Sequence, residues 1–289
     1  MKLHEFYQKT SPAISFELFP PKTSKAVEDL KERLPKLISL RPSFITVTYG
    51  ALGSTRERTL EFASLLKNTY GMETAHHLTC VGSSKSTITT ILEQLRKHNI
   101  ENIVALRGDP PQDDKEFIPL PDGYNHGDQL VSHIQGFGGF GIGVAGYPEK
   151  HLEAPDFATD LQNLKRKVEN GADVIITQLY YDNNHFYRFV DRCREIGITQ
   201  PIVPGLMPIL GTEQIIRITK MCGATIPQSL YQRLVMARDD QEKVREIGIS
   251  HTAEQAIELL ERGVPGIHFY VLNRHFQIAE IMERIKSSL

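Results

Sequence analysis

The sequence lacks the features that mark several large classes of protein. Its three cysteines, Cys80, Cys193 and Cys222, lie far apart, so we expect neither a disulfide framework nor a zinc ribbon. Lysine and arginine number 33, aspartate and glutamate number 35, and the formal net charge is −2. Because no long run of one charge occurs, we expect neither nucleic acid nor an anionic membrane as a partner.

Long apolar segments are also missing. No run is long enough to span a bilayer, and residues 1–6 lack the apolar stretch of a signal peptide. We therefore expect a cytoplasmic protein with no membrane partner.

Several familiar catalytic motifs are absent as well. The chain has no Walker loop, no dinucleotide GxGxxG after its first strand, no HExxH and no GxSxG. The glycine-rich stretch 136–141 precedes an apolar run, so we interpret it as a turn. His76, His77 and His151 do not make a convincing metal set by themselves. These absences disfavour simple hydrolase and metal chemistry, and we expect no metal.

Short apolar runs alternate with amphipathic stretches along the whole chain. The predicted strands are 13–19, 44–49, 76–81, 103–106, 142–147, 174–180, 202–206 and 267–272. Strands that alternate with helices typically form parallel βαβ units, and eight units close into a barrel. We predict an α/β fold, a single (β/α)8 TIM barrel over residues 1–289 with an extra helix around residues 211–240. A doubly wound open sheet is the alternative.

Local signals predict some helix ends. Ser54 and Glu57 form a capping box that predicts one helix start, and Thr252 and Gln255 predict the start of the helix before the last strand. Pro35 predicts a bend or an early end of the helix that begins near Ser24. The proline-rich stretch 110–126 is predicted to be a long loop.

Polar residues follow or end most of the predicted strands. The active site of such a barrel lies at the carboxyl ends of its strands. The polar residues at those ends include Thr48, His77, Arg107, Asp109, Tyr147, His151, Gln178, Tyr270 and Arg274. Each alone has a structural explanation, such as a core histidine or a local ion pair, but together they predict a lined pocket.

Glu17 lies inside the apolar run 13–19, and it is the most informative single residue. Burying an ionised carboxylate is costly, so burial favours the neutral acid. A neutral carboxylic acid near neutral pH is suited to proton donation. The alternatives are an outward-pointing side chain, or a carboxylate paired with a lysine or arginine.

A further polar stripe follows the fifth predicted strand. Asp160, Asn163 and Lys167 are spaced i, i+3 and i+7, so they share one helix face. Spacing alone favours a solvated surface, while the position one loop after Tyr147 and His151 makes a ligand contact the alternative.

Eight segments together resemble one known family, the methylenetetrahydrofolate reductases, in their bacterial-type catalytic domain. The segments are Ser15–Pro21, Val47–Gly50, His77–Cys80, Ala105–Pro110, Ala145–Glu149, Ile176–Gln178, Ile202–Gly205 and His268–Arg274. Each is weak alone, but their order and separations make a strong signature that covers almost the entire chain.

The resemblance implies an FAD-dependent barrel that passes a hydride from NADH or NADPH through flavin to 5,10-methylenetetrahydrofolate, giving the 5-methyl form. It implies that Glu17 is the general acid and contacts the folate, that Asp109 is a second catalytic residue near the flavin, and that Gln178, Gln214 and Arg274 bind folate. The implied FAD contacts are Thr48, His77, Arg107, Gly108, Asp109, Tyr147, His151, Asp160, Asn163, Arg166 and Lys167. A homo-oligomer is also implied.

The chain departs from the family pattern at some positions. Leu18 stands where phenylalanine is common, and Ile218 stands where some members place an aromatic ring against the nicotinamide. Because the chain ends at Leu289, the regulatory extension of the animal enzymes and its feedback are not expected. Two other readings are a flavin-dependent barrel oxidoreductase of the proline dehydrogenase type and a folate- or flavin-binding protein without catalysis.

Overall fold

A computed structural model of the chain describes residues 1–49, 56–109 and 120–289. Its parallel strands are β1 (Ala13–Leu18), β2 (Phe44–Val47), β3 (Thr74–Thr79), β4 (Asn102–Leu106), β5 (Gly141–Gly146), β6 (Val174–Thr177), β7 (Ile202–Val203), β8 (Gly205–Leu206) and β9 (Gly266–Tyr270). Its α-helices are α1 (Leu3–Phe6), α2 (Ser24–Ile38), α3 (Arg56–Ser64), α4 (Lys85–Lys97), α5 (Gly127–Phe137), α6 (Phe157–Glu169), α7 (Asn183–Glu195), α8 (Thr212–Cys222), α9 (Gln228–Met236), α10 (Gln241–Glu261) and α11 (His275–Ile285).

The strands close into a barrel. Their order in the sheet is β7-β6-β5-β4-β3-β2-β1-β9-β8, and all pairs are parallel. The two strands at the ends of this order, β7 and β8, are separated in the chain only by Pro204, so together they fill one barrel position. The predicted TIM barrel is therefore confirmed, and the open sheet is excluded.

The break between β7 and β8 has a local cause. Proline has no backbone N–H and cannot donate to a strand ladder, although the carbonyl of Pro204 still accepts from the backbone of His268 at 2.9 Å. The backbone N–H of Gly205 turns instead to the Thr177 hydroxyl at 2.9 Å. A Cβ at Gly205 would lie 2.1 Å from the Thr177 carbonyl oxygen, so only glycine fits there.

The segment between β8 and β9 holds more helix than one crossover needs, as predicted for residues 211–240. Helices α8 and α9 lie in it, before the long α10. The predicted capping box at Thr252 and Gln255 is wrong, because both residues lie inside α10. That helix starts at Gln241, capped by Asp240, whose side chain accepts from the backbone of Lys243 at 3.0 Å.

Other predicted ends also shift. Helix α2 continues past Pro35 to Ile38, and its last turns are held by the buried Leu34 and Leu37. Strand β3 begins and ends two residues earlier than predicted, and β6 ends at Thr177. After β6 the chain leaves the sheet, and Tyr180 stacks on Phe186 with ring centroids 5.8 Å apart. Ser54 of the other predicted capping box, and residues 110–119 of the predicted loop, lie outside the described residues.

Three apolar clusters hold the fold. One, around Ile215 and Leu230, packs α8 and α9 against the segments that follow β6 and β8, and the other two line the strands. The larger of these two packs the outward side chains of the strands against the surrounding helices. The smaller one fills the amino-terminal end of the barrel interior, where α1 inserts as a plug. Its buried members are Leu3, Phe6, Tyr7, Ala13, Phe44, Ala75, Val104, Val174, Ile176 and Val203. Among the described helices, none combines the length and apolarity that a membrane crossing requires.

Candidate active site

Glu17 lies in β1 with its side chain buried, as predicted from its apolar run. In the register of the barrel it stands beside Thr46 of β2 and Tyr270 of β9. Successive side chains of a strand point to opposite faces. Ala13 belongs to the plugged interior layer, so Ser15 and Glu17, at i+2 and i+4, also face the interior.

Three side chains surround the Glu17 carboxyl group. The Thr48 hydroxyl donates to its Oε1 at 2.7 Å. The Nε2 atom of His268 lies 3.4 Å from its Oε2, and the Nε2 atom of His77 lies 3.6 Å from the same oxygen. The other ring nitrogen of His268 pairs with the Ser15 hydroxyl at 2.8 Å. A hydrogen-bonded line therefore runs from Ser15 through His268 to Glu17.

These neighbours change the expectation for the Glu17 pKa. Burial raises that pKa, but His77, His268 and the Thr48 hydrogen bond together outweigh burial and lower it below its usual value. Burial in turn lowers the pKa of His77, against the opposing effect of Glu17. The expectation that burial alone keeps Glu17 neutral is therefore wrong, because the neighbouring imidazoles and the Thr48 hydroxyl favour the carboxylate.

Glu17 and His77 affect each other's protonation, because their side chains lie 3.6 Å apart inside the barrel. Strongly interacting sites release their protons as a pair. One proton added to an ionised Glu17 beside a neutral His77 gives either a carboxylic acid or a carboxylate–imidazolium pair. In both forms this pair is neutral overall, so the cluster of Glu17, His77 and His268 can hold one transferable proton inside the barrel.

A group of cations lies at the carboxyl ends of β4 and β5 and on α6. Lys167 reaches inward, and its Nζ donates to the Ala145 carbonyl at 2.6 Å. Burial lowers the pKa of Lys167 to about 8, and nearby Asp160 and Asp128 oppose that effect. Arg166 lies 3.9 Å from Asp128. Gly127, at the start of α5, would place a Cβ 3.5 Å from the Arg107 backbone nitrogen and 3.8 Å from the Lys167 side chain.

Gly108 follows Arg107 in a conformation that favours glycine. Its φ is +85°, and a Cβ there would lie 2.9 Å from the Cβ of Thr79. The backbone therefore passes tightly over the ends of β3 and β4, where a side chain at this position would strike Thr79.

The loop between β5 and α6 is fixed by its own contacts. The rings of Tyr147 and His151 meet edge to face with centroids 4.6 Å apart. The His151 backbone donates to the Asp160 carboxylate at 3.0 Å, and Asn163 accepts from Arg166 one turn along α6. Asp160 of the polar stripe thus holds the loop in place, and a ligand contact by the stripe stays a prediction.

The residues implied for the substrate stand around the same end of the barrel. Gln178 directly follows β6, and its backbone donates to Gly146 O at 2.8 Å. Gln214 lies in the first turn of α8 and accepts from the Leu210 backbone at 3.0 Å. Arg274 precedes α11 and is exposed.

The loop after β9 is tied to the loop after β1. Asn273 accepts from the Phe19 backbone at 3.0 Å and donates to the Phe19 carbonyl at 2.8 Å. The neighbouring Arg274 is thereby held near the end of the strand that carries Glu17.

Asp109 stands apart from the enclosed residues. Its side chain is 88% exposed and lies 4.0 Å from Arg107. Asp109 is the last described residue before residues 110–119. Its exposed carboxyl group lies just after β4, at the open end of the barrel.

Sequence reasoning missed several residues of this site. Ser15 and His268 were part of the matching segments but carried no predicted role. Two-residue alternation could have indicated them, since Ser15 shares a face with Glu17 and His268 shares one with Tyr270. The acidic partners Asp128 and Glu153 gave no such signal, because an ion pair between distant segments leaves no local pattern. Within the described ranges, no cluster of histidine, cysteine, aspartate or glutamate is arranged to hold a metal ion.

Comparison with known proteins agrees with these features. The family model for methylenetetrahydrofolate reductase matches residues 2–286. The chain is 42% identical over 283 residues to methylenetetrahydrofolate reductase (NADH) 1 of Arabidopsis thaliana, covering 94% of this chain and 48% of that protein. It is 38% identical over 262 residues to the 5,10-methylenetetrahydrofolate reductase of Escherichia coli, covering 90% of this chain and 86% of that protein. The chain thus spans about half the length of the plant relatives it matches.

A solved structure shares the fold. It is an uncharacterised protein from Clostridium thermocellum described as binding two copies of 5-methyl-5,6,7,8-tetrahydrofolic acid. It superposes with a TM-score of 0.63 at 16% identity, over 98% of this chain and 96% of that one. At this identity the likeness supports the barrel architecture alone.

Proposed function

The chain belongs to the methylenetetrahydrofolate reductase family, and from this premise we propose that it reduces 5,10-methylenetetrahydrofolate to 5-methyltetrahydrofolate with NADH as donor and FAD as cofactor. The observation that carries the proposal is the buried cluster of Glu17, His77 and His268 at the carboxyl end of a closed barrel. NADH is favoured over NADPH because the plant relatives are named for it. We further propose that residues 1–289 act as one catalytic unit, cytoplasmic and homo-oligomeric.

The residues at the ends of β4 to β6 fit a dinucleotide cofactor. Arg107, Arg166 and Lys167 supply three cations around the start of α5, where Gly127 lies close to Arg107 and Lys167 and Asp128 lies 3.9 Å from Arg166. Cations and bidentate donors of this kind suit two phosphates. Gly108 and Gly127 keep the backbone free of side chains in the same region. The remaining proposed contacts are Thr48, His77, Asp109, Tyr147, His151, Asp160 and Asn163. When bound, FAD supplies the hydride relay between nicotinamide and folate.

The chemistry of the substrate explains the need for an internal acid. The methylene group bridges two nitrogens, and hydride can attack its carbon only after one C–N bond opens to an iminium cation. Opening is assisted by a proton on the departing nitrogen. We assign this proton to the Glu17 cluster, with the Glu17 carboxyl group as the donor.

His268 and Thr48 orient the carboxyl group of Glu17. Thr48 donates to one oxygen and His268 lies against the other, so the carboxyl group has one fixed orientation. His268 is itself oriented by Ser15. After donation, the resulting carboxylate is stabilised by the same partners, which lowers the cost of losing the proton.

The substrate would lie over this cluster, bounded by Gln178, Gln214 and Arg274. The iminium carbon is positive, so an anion nearby would stabilise it electrostatically. Asp109 is the proposed anion. Because it is exposed in this structure, its effect depends on the substrate and cofactor covering it. Ile218, on the α8 face that packs into the apolar cluster around Ile215, would offer the nicotinamide an aliphatic surface.

An anaerobic flavin spectrum tests the proposal. Purified protein with FAD should lose its visible flavin absorbance when NADH is added and regain it when methylenetetrahydrofolate follows. Reoxidation by an imine or proline-derived substrate, with none by the folate, would favour the other flavin-barrel reading. Protein that binds folate or flavin but never bleaches with NADH or NADPH would support a binding protein without catalysis. Protein that stays colourless with added FAD would contradict every flavin reading.

A further inference from the structure

Arg107 is proposed to hold the cofactor, yet the protein already occupies most of its hydrogen-bonding capacity. Its two terminal nitrogens donate to the two carboxylate oxygens of Glu153, one of them at 2.7 Å. Its Nε donates to the Gly108 carbonyl at 3.1 Å. A guanidinium has five N–H groups, so three are engaged within the chain.

The Arg107–Glu153 pair is bidentate, and it shifts both groups in the expected directions. The Glu153 carboxylate raises the pKa of Arg107, and Arg107 lowers the pKa of Glu153. The Glu153 side chain is 55% exposed and that of Arg107 is 27% exposed. The carboxylate therefore has a path into solvent, whereas the arginine stays at the site.

The other carboxylates of this region, Asp128 and Asp160, lie in helices. Asp128 and Asp160 both lie in the first turn of a helix, α5 and α6 respectively. Asp160 also accepts from the His151 backbone at 3.0 Å. Glu153 instead lies on the loop after β5, where its backbone donates to His151 Nδ1 at 3.1 Å and its carboxylate is held by Arg107.

We propose that Glu153 is an exchangeable internal counter-ion for Arg107, and that it weakens cofactor binding by competing with the dinucleotide phosphates for the same guanidinium edge. The inference rests on the proposed function, since it takes FAD as the ligand. Carboxylates and phosphates both bind arginine through two parallel N–H···O bonds. Seating a phosphate on that edge therefore requires Glu153 to leave it, and the free energy of the lost ion pair reduces the affinity for FAD.

The opposite reading is that Glu153 orients Arg107 for the phosphates. The two readings predict opposite changes in the affinity for FAD when Glu153 is neutralised. A competing carboxylate makes FAD bind more tightly when it is neutralised, while an orienting carboxylate makes FAD bind more weakly.

The test is the dissociation constant of FAD, measured on cofactor-free protein by quenching of flavin fluorescence. Glu153→Gln should bind FAD more tightly by about threefold to tenfold, the range of a partly exposed bidentate pair. Glu195→Gln is the matched control: it makes the same charge change on an exposed residue at the end of α7 and should leave the constant unchanged. Riboflavin, which has no phosphate, should bind Glu153→Gln and the parent protein equally.

A double-mutant cycle with Arg107→Gln completes the test. If Glu153 acts through Arg107, Glu153→Gln should have no effect on FAD affinity in the Arg107→Gln background. Unchanged or weaker FAD binding by Glu153→Gln overturns the inference while leaving the proposed function intact. A parent protein that binds no FAD overturns the proposed function and this inference together.

Discussion

The two ends of the barrel interior are built from the same strands, yet one end is apolar and the other is lined by polar side chains. At the amino-terminal end, Ala13, Phe44 and Ala75 join the apolar plug formed by α1. A few residues further along, Glu17 of β1, Thr79 of β3 and Thr48, which directly follows β2, stand at the open end. Because alternate residues share a face, position along a strand decides whether an inward side chain stabilises the fold or serves the site.

This contrast predicts that changes at the open end alter chemistry and leave stability nearly unaffected, while changes at the plugged end do the reverse. The largest effect is expected for Glu17→Gln. The amide keeps the shape but cannot donate an acid proton, so turnover with methylenetetrahydrofolate should fall by about 10²–10⁴-fold. Steady-state kinetics and urea unfolding of the same preparation check both halves of the statement. Loss of folding together with activity would place Glu17 among the structural residues.

Phe44→Ala probes the plugged end. Phe44 is fully buried, and its ring centroid lies 5.1 Å from that of Phe6 and 6.3 Å from that of Tyr7. Removing the ring leaves a cavity and should lower the free energy of unfolding by about 3–5 kcal/mol. Activity per folded molecule should stay close to that of the parent at a temperature below the transition. A selective loss of activity without destabilisation would show that the two ends are not separable.

The neighbours His76 and His77 allow a sharper comparison, because they point to opposite faces of β3. His77 faces the site, whereas His76 faces the surrounding helices, where burial lowers its pKa from 6.5 to about 3. The unfolded chain therefore binds a proton at pH 5 that the folded chain does not. Stability should fall as the pH drops from 6.5 towards 3, by about 2 kcal/mol between pH 7 and pH 5 from this residue.

Urea unfolding at pH 7 and pH 5 measures this loss of stability, and the part that comes from His76 should be absent in His76→Phe. The parent contains other histidines, so the informative quantity is the difference in pH dependence between the parent and the variant. Identical pH dependence in both would contradict a buried neutral His76.

Thr48→Val should have the smallest effect of the set. It removes the hydroxyl that donates to Glu17 at 2.7 Å. Losing a hydrogen bond to the carboxylate favours the protonated form, so the pKa of Glu17 rises. The folate half-reaction should then keep its active protonated form to higher pH, with a rate change of about tenfold or less. A pH profile of flavin reoxidation that matches the parent would show that Thr48 does not act on Glu17.

The sequence predicted the barrel because burial leaves a periodic record. Apolar runs located the described strands to within a few residues. The site predicted from the polar strand ends stays a prediction. Other features depend on contacts that no local pattern records. Pro204 and the split strand that closes the sheet became clear only from the pairing of β7 with β6 and of β8 with β9.

The errors have physical causes too. Thr252 and Gln255 match a capping box by type, but their neighbours continue the helix, and the Thr252 hydroxyl bonds to the Gly248 carbonyl at 2.9 Å instead. Burial of Glu17 was predictable from its strand. The partners that lower its pKa are His77 of β3, His268 of β9 and Thr48, which directly follows β2, and no local pattern joins these segments. Sequence alone therefore predicted that Glu17 is buried but not the electrostatic environment of its carboxyl group.

The most direct test of the central claim separates the two half-reactions in Glu17→Gln. Stopped-flow spectra should show NADH bleaching the flavin at a rate close to that of the parent, and methylenetetrahydrofolate reoxidising it about 10²–10⁴-fold more slowly. That result would assign the buried cluster to proton delivery at the folate. Equal slowing of both half-reactions, or reoxidation at the parent rate, would contradict the account.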